Sequence, residues 1–182
     1  TRSLDRLEQE IGATLDEPVD IFIYANTQDM RSALQSNSVE WVGGQANPGL
    51  GLIIGAVAPN DISEARRIVP HELSHQVLHQ AVENPYGGLP LWFDEGLAVH
   101  NQETPDMIFT LMLEEAAVTG QLIPLEALAA SFPAASDRAL LSYAQSHSVV
   151  EYIIDTYGTE KTSAMTAAFA EGRAVADVVQ SV

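Results

Sequence analysis

Two histidines four residues apart with a glutamate beside the first, His71-Glu72-Leu73-Ser74-His75, constrain this chain more than anything else in it. In an α-helix, residues four apart stand one above the other on the same face. His71 and His75 therefore aim two imidazoles at one point, a geometry that zinc accepts at about 2.0–2.1 Å per nitrogen. Glu72 is turned by about 100° around the same helix. From there it can flank a metal-activated water without ligating the metal, which is the position of a general base. Such a pentamer calls for a second element carrying a third ligand, and for a cleft that leaves the fourth position to water.

Composition narrows the donors. The chain has no cysteine, so disulfides, thiolate nucleophiles and cysteine-held zinc are all excluded. Any metal must be bound by His, Asp or Glu. The 25 acidic residues against 8 basic ones leave a net charge of −17. That balance argues against nucleic acid as a partner, because phosphate needs a basic footprint. It is read as a solvated acidic surface that keeps the domain soluble. No apolar run approaches the length of roughly 18 residues that would cross a bilayer. The lack of cysteine does not decide the compartment, since many exported bacterial proteins also have none; an extracellular or cell-surface-exposed domain is the expectation. Oligomeric state is not legible.

Periodicity sketches an α+β chain. Leu4, Leu7 and Ile11 define an opening helix, and Val19–Tyr24 reads as a strand rich in β-branched and aromatic residues. Thr27 is placed to cap a helix through about Gln35. Two further strands fit near Val39–Ala46 and Leu50–Val57, joined through the Asn47-Pro48-Gly49 turn. Asp61 or Ser63 caps a helix that reaches Ala81. Pro70 either kinks that helix or opens its regular part. A loop at Asn84–Gly88 leads to a short helix from Pro90, and Thr104-Pro105-Asp106 starts another that stops at Gly120. Pro124–Ala130 is a short helix. Ser136 is read as the cap of a long one, with Leu140, Tyr143, His147, Val150, Ile154 and Tyr157 facing inward until Gly158. Thr159 opens a helix carrying Met165 and Phe169, and Val175–Val182 is amphipathic. The expectation is a single domain over 1–182, with an α+β part over about 1–82 and a helical part over about 83–182.

The candidate third ligand is Glu95, one loop beyond His75, within Pro90-Leu91-Trp92-Phe93-Asp94-Glu95-Gly96-Leu97-Ala98. Here the chain resembles the gluzincin metallopeptidases, thermolysin-like enzymes that pair HExxH with a Glu on the following helix. The closer resemblance is to their bacterial peptidase MA-like branch. It rests on HExxH, the Pro-x-Trp-x-x-Glu-Gly-x-Ala segment and Tyr143-Ala144-Gln145-Ser146, in that order, over roughly residues 40 to 170. It implies a two-lobed thermolysin-like zincin fold, with a small mixed sheet beside the HExxH helix and a mainly helical second lobe. It also implies one Zn2+ per chain on His71, His75 and Glu95.

The resemblance implies more about the site. An oxyanion donor comes from the C-terminal lobe in this family, and Tyr143 and His147 share one helix face, with Tyr143 inside the matching segment. Both are equally readable as core residues. Substrate backbone lies along an edge strand, which puts Gly44, Gln45 and Ala46 in line to bind it; the glycines equally mark a bulge or turn. Thermolysin-like enzymes often carry an Asp four residues after the Glu ligand, which steadies a ligand His. Val99 stands there in this chain, so that support comes from elsewhere, with Asp94 a candidate. The metzincin pattern would place a third His six residues after His75, where Ala81 stands. His79 is read as packing or lining the cleft rim, and His100 as a surface or loop-end residue.

The expected function is a zinc metallopeptidase, an endopeptidase acting on a peptide or protein substrate by a zinc-activated water with Glu72 as base. The alternative is an inactive zincin-like domain that binds a peptide or a partner, against which the intact Glu72 argues. A structural zinc domain is the third possibility, and three ligands plus a base fit an open site better.

Overall fold

A computed structural model describes residues 2–34, 43–83, 88–104, 107–133 and 135–181. Val39–Val42, the end of the second helix at Gln35, the loop over Asn84–Gly87 and the Pro105-Asp106 helix start lie outside them. Helix α1 (Arg2–Ile11) is followed by β1 (Asp20–Tyr24) and α2 (Thr27–Leu34). Then come β2 (Gly44–Asn47), a 3-10 turn at Pro48–Leu50, β3 (Leu52–Ala56) and the long helix α3 (Ile62–Ala81). The remainder is helical: α4 (Leu91–His100), α5 (Met107–Thr119), α6 (Leu125–Ala130), α7 (Ser136–Tyr157), α8 (Thr159–Ala170) and α9 (Val175–Gln180). The fold is α+β, with one small mixed sheet.

In that sheet β3 is central, parallel to β1 and antiparallel to β2. The β2–β3 register runs from Gly44 opposite Gly55 to Asn47 opposite Leu52. Among the described residues that leaves β2 at one edge, beside α3. The buried Gln76 amide fastens α3 to the sheet by donating to Leu52 O at 2.9 Å.

Caps differ in detail from expectation. Asn26, not Thr27, caps α2, its Oδ1 accepting from Asp29 N at 2.9 Å. Asp61 caps α3 through Glu64 N at 3.0 Å. Ser136 is the first residue of α7 and no side chain caps that helix. Pro70 lies inside α3, which runs as one helix from Ile62 to Ala81. Its missing N–H leaves Arg66 O without the usual partner four residues on. Glu103 N, from the loop after α4, donates to that oxygen instead at 3.1 Å.

The main core is helical. Leu7 and Ile11 of α1 join Val77 and Leu78 of α3, Trp92, Phe93 and Leu97 of α4, and Met165 and Phe169 of α8. The opening helix thus packs on α3 and α8, because its apolar stripe completes the helical core. On α7 the fully buried stripe is shifted from the expected one. Ser142, Ser146 and Val150 are buried, whereas Tyr143 and His147 are half-buried and Tyr157 is exposed.

Close approach explains the shift. Helix α4 packs most extensively on α7, and a Cβ on Gly96 would stand 2.5 Å from Ser146 O and 2.7 Å from Val150 Cγ2. Glycine on one helix and serine on the other let the two backbones meet. Gly96→Ala is therefore expected to force them apart at a cost of about 1–3 kcal/mol, lowering Tm by roughly 3–10 °C for a domain of this size. A thermal melt unchanged by the substitution would contradict the close contact.

Candidate metal centre

Helix α3 brings His71 and His75 to one face, with ring centroids 5.1 Å apart. Helix α4 places Glu95 opposite them: its Oε2 is 3.5 Å from His71 Nε2 and 3.6 Å from His75 Nε2. Ligand atoms of all three residues lie within 4.8 Å of one another. Two donors each about 2.05 Å from a tetrahedral ion stand about 3.3 Å apart, so these spacings suit one small cation. Glu95 Oε2 is also buried with no hydrogen-bond partner. A carboxylate oxygen desolvated without a partner is costly, and a cation between the two imidazoles would satisfy it.

The chemistry of the cluster is thereby defined: two nitrogens and a carboxylate oxygen, shielded on the helical side and open to a cavity. A family model of the peptidase MA superfamily matches residues 1–182. The chain belongs to that superfamily. No curated protein and no solved structure matches it.

In this peptidase MA chain the cavity over the cluster has a volume of about 280 Å³. It is lined by His71, Glu72, His75, Glu95 and Tyr143 together with Gly44, Gln45 and Ala46 of β2. A second cavity of about 310 Å³ shares Gly44, His71, Glu72 and Tyr143 and extends past Ile68, Val99, Phe109 and Leu140. Glu72 stands where the two meet, 6% exposed. Gly44 makes this possible. A Cβ there would lie 2.6 Å from Glu72 Oε1 and 2.8 Å from Ile68 Cγ2, so only glycine lets the edge strand pass so near the carboxylate.

The two sequence-predicted helix α7 residues separate. Tyr143 faces the cluster, 6.5 Å from the His71 ring between centroids, held by Phe132 edge-on at 5.1 Å and by Phe109 in a stack at 6.5 Å. Burial, then the carboxylates of Glu95, Glu72 and Asp94, push its phenol pKa up, so it remains a donor at neutral pH. His147 instead lines a different cavity with His100, Phe109, Ser148 and Glu151. Its ring is 6.0 Å from that of His100, and burial lowers the pKa of both imidazoles. Gln145 of the same segment clamps the chain before α6, accepting from Ile123 N at 2.9 Å and donating to Ile123 O at 2.6 Å.

Support for the two histidines comes from different elements. Asp94, beside Glu95 on α4, holds His75 Nδ1 at 2.7 Å through Oδ1 and His79 Nε2 at 2.7 Å through Oδ2. His79 thus reaches the rim as a partner of Asp94. Burial works against a charged His75, but Asp94, Glu95 and Glu72 outweigh it and raise its pKa to about 10. The His71 Nδ1 contact is Gln102, 2.9 Å away, which no sequence pattern singles out. The described helices include none long and apolar enough to cross a membrane.

Proposed function

We propose that this chain is a zinc-dependent endopeptidase with the two-lobed arrangement of gluzincins, its sheet and α3 on one side of the cleft and its later helices on the other. The observation that carries the reading is the partnerless Glu95 Oε2 between two imidazole nitrogens, with Glu72 beside it on the open side. His71, His75 and Glu95 would hold one Zn2+. When bound, zinc supplies a Lewis acid that polarises the scissile carbonyl and brings the pKa of water towards about 7.

The protein's own residues do the rest. Glu72 takes the proton from the attacking water and delivers it to the nitrogen of the departing amine as the C–N bond breaks. Tyr143 donates its phenol proton in a hydrogen bond to the oxygen on which negative charge grows. Gly44, Gln45 and Ala46 present the edge of β2 to the substrate backbone, which adds as a further strand. Cavities on both sides of Glu72 give room for side chains flanking the cleaved bond, which favours internal cleavage.

The test is metal content with hydrolysis of internally quenched peptides. About one zinc per chain is expected, with activity lost to a chelator and restored by zinc. Metal-free purified protein that takes up no zinc, or chelator-insensitive cleavage, would overturn the reading. Tyr143→Phe should lower kcat by about 10²–10³-fold with zinc retained, the scale of one lost oxyanion donor. An unchanged kcat would remove Tyr143 from the chemistry.

A further inference from the structure

Zinc ligation through Nε2 leaves the Nδ1–H of a histidine to be oriented by an acceptor. Asp94 does this for His75. Val99, one turn after Glu95 on α4, is aliphatic and buried and offers His71 no acceptor. The polar atom next to His71 Nδ1 is the Gln102 side-chain nitrogen, at 2.9 Å. The two ends of an amide have the same shape, so a half-turn about its last bond presents Oε1 as the acceptor that an Nδ1–H requires.

Gln102 lies on a loop, yet that loop is tied down on both sides of it. Asn101 is fully buried and donates to Leu97 O at 3.0 Å and Ser74 Oγ at 3.3 Å, while its own carbonyl accepts from Arg6 at 2.9 Å. Glu103 N donates to Arg66 O at 3.1 Å, and Thr104 Oγ1 to Ser63 O at 3.3 Å. Pro70, the residue preceding His71, has no N–H to give the Arg66 carbonyl, which leaves the usual helical place at that oxygen to Glu103 N.

We propose that Gln102 is the positioning residue for His71, and that Pro70 provides the backbone anchor that keeps it there. The inference rests on the reading of His71 as a metal ligand. It makes the two histidines unequal. His75 is backed by a carboxylate, whereas His71 is backed by a neutral amide, a weaker acceptor.

Zinc affinity, measured on the whole chain by competition with a chromogenic chelator, tests this without reference to activity. Gln102→Ala should weaken binding by about 10–100-fold. Gln102→Glu should strengthen it several-fold over wild type, a direction that misfolding cannot produce. Pro70→Ala returns a donor to Arg66 O in competition with Glu103 N. It should raise Tm while weakening zinc binding. Affinities equal to wild type in both Gln102 variants would overturn the role of Gln102, and unaltered affinity in Pro70→Ala would overturn the anchor. Wild-type protein that binds no zinc would overturn the metal reading itself and this inference with it, a separate outcome.

Discussion

Glu72→Gln is expected to abolish measurable peptide hydrolysis while zinc stays at about one per chain. The amide has the size of the carboxylate and fits the same niche against Gly44, but it cannot take a proton from water. General-base catalysis contributes about 10²–10⁴-fold, and the same group also has to protonate the leaving amine, so the loss should lie at the upper end. The niche admits no second carboxylate from β2, because Gly44 has no side chain to offer. The measurements are kcat on a quenched peptide and bound zinc in the same sample. Equal turnover in the variant would eliminate Glu72 as the base, and loss of zinc along with turnover would mean that its role is structural.

Glu95→Ala should have the second large effect, on metal binding. A structural zinc site in a small domain is worth about 10–16 kcal/mol over four ligands, so one ligand accounts for roughly 10²–10³-fold in affinity or more. The proton balance gives a second readout. His75, raised to about 10 chiefly by Asp94 and Glu95 against the effect of burial, carries a proton on Nε2 at pH 7 when no metal is present. Zinc must displace it. Uptake at pH 7 should therefore release close to one proton from His75, and affinity should rise about tenfold per pH unit through the neutral range. The sign follows from the raised pKa: lower pH fills the site with protons, higher pH frees it. Calorimetry in buffers of different ionisation enthalpy measures the release. Uptake without proton release would show that His75 is neutral before zinc arrives.

What could be read from the sequence was what local periodicity encodes. His71, Glu72 and His75 are spaced by one helix, and Glu95 sits in a short apolar helix whose burial on nearly every side is written in its composition. The α7 stripe was legible only in part: Val150 is buried and Ile154 packs on the core, but a small polar residue such as Ser146 becomes buried only because a glycine on α4 allows contact between backbones. Pro70 looked like a helix problem and is a tertiary junction, since its missing donor is meaningful only beside Glu103 N. Gln102 carries no signal of its own. It reaches His71 through a loop held by Ser74, Arg66 and Ser63 of another helix, and no pattern within one segment encodes that.

β2 has a further consequence for any substrate. Among the described residues it pairs with β3 on one side only, so a polypeptide added along its outer edge, in the proposed mode, would lie extended over that strand to reach Glu72. Helices and closed hairpins cannot take that shape without first coming apart. A target's own folding would then be its protection. Its rate of cleavage would follow the population of locally opened chain around the bond, and well-packed proteins would be spared even where their side chains suit the cavities.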